Sequence, residues 1–174
     1  MSRLPTASAE LPIRVVDTGT RIGQSASVVT KEGDAPRMPV MSTEMRRAIV
    51  EDDLDVLRAL VARGESPDAV LDAPLPYRWS ALMLCAEHDR LRLLQLLLSA
   101  GADPNYALAD GWTALHHAVD SEWDAESNGV AVADGHLVRA LVAAGADPDA
   151  VCSRLRESPR DMARYSTTLV AALG

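Results

Sequence analysis

The chain has 174 residues and a formal charge of −8; 48% of its residues are hydrophobic, yet only 3% are aromatic and none is phenylalanine. That length suffices for one core or a short stack of repeats, and a core of Ala, Leu and Val suits closely packed helices better than an aromatic-rich sheet. The charge is uneven: residues 1–40 carry five basic and four acidic side chains, leaving −9 on a body that repels phosphate backbones and favours a basic protein surface.

Residues 1–41, rich in Ser, Thr, Gly and Pro, are predicted to form a flexible or disordered tail. Its β-prone patches "IRVV" (13–16) and "SVVTK" (27–31) would make only a marginal hairpin, and initiation at Met41 is an alternative beginning for the folded part. From residue 42 onward three segments end alike: "LRALVARGESPDA" (57–69), "LLQLLLSAGADPNYA" (94–107) and "VRALVAAGADPDA" (138–150). Each is an apolar helix closed by a glycine suited to a left-handed residue, at Gly64, Gly101 and Gly145, with Pro67, Pro104 and Pro148 preventing the helix from resuming. The openings match as well. "WSALMLCA" (79–86) aligns with "WTALHHAV" (112–119) at a shift of 33, predicting N-caps at Ser80 and Thr113; "ESPRDMA" (157–163) adds Ser158 as a cap with Pro159 at the first helical position. Four units result: 43–69, 74–105, 109–150, and a shortened one from 157. Cys85 and Cys152 have no metal-ligand spacing and read as free thiols of a reducing compartment. The chain shows neither a signal-peptide pattern nor an apolar run of ~20 residues, which predicts a cytoplasmic protein that does not cross a membrane.

A period of 33 in which "DGWTALHHA" (110–118) opens a first helix and "GADPD" (145–149) closes a second resembles the ankyrin repeat. The resemblance covers 42–174 and implies an all-α ankyrin-repeat solenoid of three repeats plus a truncated C-terminal capping unit. Ala81 and Ala114 depart from the proline that family prefers, and Met83 from its histidine. The implied function is protein binding on a concave face, without catalysis or a cofactor.

Glycine spacing locates an irregularity. Gly64 to Gly101 is 37 residues and Gly101 to Gly145 is 44, so a surplus falls in "SEWDAESNGVAVA" (121–133). It is predicted to lengthen the first helix of the third unit and turn at Ser127, Asn128 and Gly129. A neutral insertion competes with a binding element; a large aromatic among acids favours binding. Trp123 with Asp120, Glu122, Asp124 and Glu126 is therefore expected to meet a partner. Trp79 and Trp112, 33 apart, are expected in neighbouring layers beside Tyr77 and Tyr106, with Asp110 and His117 completing the surface. The alternative for the tryptophans is that each merely shields the core.

No metal ligands or catalytic residues are predicted. His116 and His117 are adjacent, so their side chains point about 100° apart on a helix. His116 matches the family's motif histidine, which implies a structural hydrogen bond; His117 is expected at the surface or in the groove, and His88 and His136 are given no special role. Sixteen arginines against one lysine suggest a GC-rich bacterial genome, and small bacterial proteins of this kind resemble immunity proteins of toxin systems. The expected partner is therefore a basic protein, with a toxin domain as candidate, bound by a chain that is monomeric when free and engages neither nucleic acid nor membrane. A scaffold or regulator of an endogenous enzyme is the alternative. Outside the binding class stands an enzyme or metal protein using His116, His117 and the acidic loop. A further option makes the tail the binding element.

Overall fold

The structure, a computed structural model, describes residues 38–74, 78–129 and 134–174. The tail patches, Tyr77 and residues 130–133 of the insertion lie outside the described residues.

Among the described residues eight α-helices follow one another: α1 (Thr43–Val50), α2 (Leu54–Ala62), α3 (Ala81–Glu87), α4 (Leu91–Ser99), α5 (Ala114–Ser127), α6 (His136–Ala143), α7 (Pro159–Met162) and α8 (Thr167–Leu173), with a 3-10 turn, Ala163–Tyr165, before the last. Most begin where a short polar side chain can accept a first-turn N–H. Ser42, Asp53, Ser80, Thr113, Ser158 and Ser166 each take the N–H three residues on. The three expected caps are among them, and Pro159 stands at the first helical turn. Gly64, Gly101 and Gly145 have φ of 98°, 94° and 92°, the left-handed residues that end α2, α4 and α6.

The helices pack as two layers. α1, α3, α5 and α7 touch in sequence, α2, α4, α6 and α8 likewise, and within each of the first three units the first helix lies on the second. No unit can bury its apolar stripe alone, so one core runs through the stack from Met45 and Ile49 through Leu82, Leu94, Leu115 and Leu141 to Leu169 and Leu173. Cys85, within that core, and Cys152 are both free and buried, and burial pushes the Cys85 thiol far up, leaving it unreactive. Among the described residues strand pairing is limited to isolated bridges, Ala107 with Thr113 and Cys152 with Glu157 among them, in the loops between units.

The residue after each turn proline ties its unit to the next. Asp68 Oδ1 accepts from Asp103 N–H at 2.7 Å, Asn105 Oδ1 from Asp147 N–H at 2.8 Å, and Asp149 Oδ1 from Arg160 Nε at 2.8 Å. These bonds explain why an acid or amide follows the proline in every unit.

Two boundaries differ from expectation. Met41 is buried, Val70 N–H donates to Pro39 O and Met41 N–H to Val70 O, so the packed body reaches back into the stretch assigned to the tail. The capping unit holds two short helices rather than one, because Ser166 starts α8 immediately after the 3-10 turn.

Gly111 is constrained twice. Its φ is 87°, and a Cβ there would stand 2.8 Å from the Val151 carbonyl oxygen of the following loop. Gly111→Ala is expected to cost about 2 kcal/mol or more, against about 1 kcal/mol for Gly64→Ala, where φ is also positive but space is open. Denaturant melts of the two variants test this; equal losses would mean the contact with Val151 yields freely.

Candidate functional site

The insertion is helical through its first half. α5 runs 14 residues to Ser127, capped by Asn128 with Gly129 at φ 63°, as the turn residues predicted. A helical backbone then sorts the acids by face. Asp120, Trp123 and Asp124 share one face at spacings of three and four, whereas Glu122 and Glu126 share another.

That sorting corrects the expectation for Glu122 and gives the exposed Glu126 a second, structural contact. Glu122 is 6% exposed and cannot present charge to a partner; its Oε1 accepts from the N–H groups of Leu137 at 3.0 Å and Val138 at 3.4 Å, capping α6 from across the repeat. Burial raises its pKa, opposed by those backbone donors and by His136. Glu126 accepts from Ser166 Oγ at 2.7 Å, which commits it to the start of α8. Asp120 and Asp124 remain exposed. Partial burial, then repulsion from Asp124, raises the Asp120 carboxyl, and Arg154 opposes them.

Trp79 and Trp112 come together around His117. The His117 ring lies 4.5 Å from Trp79 and 5.6 Å from Trp112, both edge-on, while Trp112 stacks on His116 at 4.9 Å. Trp112 is only 5% exposed, so much of it shields the core, and Trp79 is half-buried. His117, expected at the surface or in the groove, takes the second place: it is 7% exposed and lines the groove. Its Nδ1 is 3.3 Å from Glu87 Oε2. A carboxylate can only accept, so Nδ1 carries the hydrogen and Nε2, buried without a partner among the described residues, is a bare acceptor. Burial, reinforced by the charges of His116 and Arg154 and opposed by Asp110, pushes the His117 pKa down to about 4. Glu87 would favour a charged ring, but its carboxylate is half-exposed and screened, and burial prevails.

These side chains line a groove of about 250 Å³, with Glu87 from α3, His117 and Asp120 from α5, and Trp79, Leu108, Asp110, Trp112 and Arg154 from the loops. The Arg154 guanidinium lies 4.9 Å above the Trp112 ring, with Nε 3.7 Å from Asp110 Oδ2. Asp110 also holds its own turn, accepting from Trp112 N–H at 3.1 Å. Tyr106 sits behind the groove, half-buried, its hydroxyl donating to Arg78 O at 3.2 Å. Trp123, 38% exposed, opens instead into a second pocket with Leu155 and Tyr165, and Asp120 borders both. Tyr77 lies outside the described residues.

Glu87 and Arg154 were not singled out in the sequence. A signal for Glu87 exists, since the 33-residue shift that aligns the tryptophans also sets Glu87 on Asp120; Arg154, in the shortened loop before the cap, has no such register. One cluster was likewise missed: single ligand atoms of Glu122, Asp134 and His136 all lie within 4.8 Å of one another.

A family model described as ankyrin repeats (3 copies) matches residues 45–152. A putative ankyrin repeat-containing protein of Treponema pallidum (strain Nichols) is 35% identical over 115 residues, which are 66% of this chain and 33% of that protein; the chain thus spans about a third of that relative's length. Among solved structures the ankyrin repeat domain of Bcl-3, a unique member of the IkappaB protein family, superposes with a TM-score of 0.58 at 29% identity, covering 74% of this chain and 50% of that one. The repeated caps, the paired helix layers and the matched family model agree: the chain belongs to the ankyrin-repeat family, whose fold serves as a protein-interaction module.

Proposed function

We propose that the chain is a non-catalytic, monomeric cytoplasmic binding protein that takes a basic segment of a protein partner into the groove between α3, α5 and the inter-unit loops. One observation carries this reading. Arg154 stacks on Trp112 beside Asp110, so the groove accommodates a guanidinium on an indole face with a carboxylate at its edge. Three acids, Glu87, Asp110 and Asp120, surround that single cation, and neutral His117 adds none. An incoming arginine would displace Arg154 and meet the same groups. Trp123, with Leu155 and Tyr165 next to the groove, extends the contact with apolar area. In its most specific form the partner is a basic toxin domain made by the same cell, as the resemblance to small bacterial immunity proteins suggests.

The test is capture by the immobilised full chain from lysate and secreted fraction of the native host. A single basic protein domain should be retained. Doubly substituting Glu87→Gln and Asp120→Asn should slow its association about tenfold and flatten the salt dependence, with stability nearly unchanged because both side chains are exposed. Arg154→Ala should instead tighten binding by vacating the indole face. Unaltered kinetics in both variants would remove the groove from the reading. Retention of a metabolic enzyme would replace toxin neutralisation by regulation.

A further inference from the structure

Glu122 presents an imbalance that capping alone leaves unexplained. Its Oε1 takes two backbone N–H groups, and the Gly135 backbone also favours the charged form, but Oε2 is buried with no hydrogen-bond partner among the described residues. An unpaired buried carboxylate oxygen is costly and calls for a cation or a donor. Asp134 and His136, from the end of the insertion and the first turn of α6, bring ligand atoms within 4.8 Å of Glu122 and of each other. A fourth group arrives from the preceding unit. Asp89, at φ 55° in the link between α3 and α4, places Oδ1 2.6 Å from His136 Nε2, while Asp134 Oδ1 contacts Nδ1 of the same ring. Three carboxylates thus enclose one imidazole, whose charge cannot exceed +1. Arg139 adds positive charge on the Asp134 side, but it is exposed.

We propose that Glu122, Asp134 and His136 Nδ1 bind one divalent transition-metal ion, with zinc as the probe, and that Asp89 positions the ring. A carboxylate on the far nitrogen of a ligating histidine fixes its orientation and raises its basicity, the arrangement around Nε2 here. Donors about 2.0–2.2 Å from zinc stand some 3–4 Å apart, so modest side-chain adjustment closes the site. The metal takes the place of the hydrogen between Nδ1 and Asp134, which leaves to water. Two carboxylates and an imidazole suit zinc or manganese, whereas calcium requires six or more oxygen donors that this cluster lacks. The ion fastens the extended α5 to the start of α6 and, through Asp89, to the preceding repeat. This role is structural and independent of the groove.

The experiment is calorimetric titration of the chelator-dialysed full chain with zinc, alongside thermal melts. One ion per chain and a rise in melting temperature of about 5 °C at saturating zinc are expected. His136→Ala should weaken binding at least about 100-fold and abolish the thermal shift, and Asp89→Asn should weaken it about tenfold. Asp134→Asn gives an independent loss if Glu122→Gln fails to fold, while His88→Ala should bind as the parent does. Absence of stoichiometric binding up to millimolar zinc, or equal affinity in the parent and His136→Ala, would overturn the site.

Discussion

Replacing His116 by alanine is expected to lower folding stability by about 3 kcal/mol, a fall of about 10 °C in melting temperature for a domain of this size, whereas His116→Met should cost only about 1 kcal/mol. The ring is fully buried and stacked on Trp112. Its Nδ1 accepts Thr113 N–H at 3.1 Å and bonds Thr113 Oγ1 at 2.8 Å, while His116 N–H donates to Oγ1 at 3.4 Å. This reciprocal capping box fixes Nδ1 as an acceptor, so the neutral ring carries its hydrogen on Nε2. Burial lowers the His116 pKa, opposed by the Glu157 backbone of the next unit and by Asp110. Alanine would lose the ring's volume, its stack and half the box together.

The other repeats supply the comparison for methionine. Met83 fills the equivalent slot of the second unit, fully buried, with Ser80 making only the one-sided cap. Asp161 fills it in the fourth, rebuilding the reciprocal box: its carboxylate accepts Ser158 N–H at 3.0 Å and its own N–H donates to Ser158 Oγ at 3.2 Å. The slot therefore tolerates either packing alone or a polar box alone. Methionine keeps volume and gives up the reciprocal bond. Urea melts of both variants decide the matter: equal losses would show that the imidazole, not its volume, holds this turn.

The fold was legible because its signals are local and repeated. A hydroxyl before an apolar run and a glycine before a proline determine helix ends within a few residues, and the 33-residue shift sets one unit upon another. Departures came where a long-range contact decides. Met41 joins the body through its backbone bond to Val70 and its burial in the core, and the second helix of the cap depends on Ser166, a hydroxyl shared with Glu126 across 40 residues.

The candidate site was legible in its composition and not in its orientation. Glu122 and Asp124 are equivalent in a list of charges, yet two positions along a helix turn them to opposite faces. One caps α6 and the other meets solvent. Trp79 and Trp112 were paired by their register, but His117, the residue that joins them, reads as surface or groove because its neighbour takes the motif position. Sequence spacing predicts which groups recur, while burial decides which of them keep a charge.

Lowering the pH from 7 to 4 is expected to remove about 3 kcal/mol of stability through His117 alone, at about 1.4 kcal/mol per pH unit. The unfolded ring titrates near the ordinary 6.5, the folded ring near 4. Between these values the unfolded chain binds a proton that the folded chain does not, so stability is whole above pH 6.5 and declines as pH falls through the window. His116, also lowered, acts in the same sense. Glu122 and Asp120, raised by burial, act in the opposite one, and His136, held by two carboxylates, contributes stability that is lost as pH rises through its raised value. Asp134 and Asp161, both lowered, lose their contributions only below the ordinary aspartate value of 3.8. Comparing pH–stability curves of the parent and His117→Gln isolates the term: the variant should be flatter by about 1.4 kcal/mol per unit between pH 6.5 and 4. An unchanged slope would mean the ring is not held neutral between the two indoles. The same proton bears on binding, because a charged His117 would place a second cation beside Arg154 among Glu87, Asp110 and Asp120. Acid would then weaken the fold and the groove's attraction for a basic partner together, while His117→Gln would remove this ring's share of both dependences.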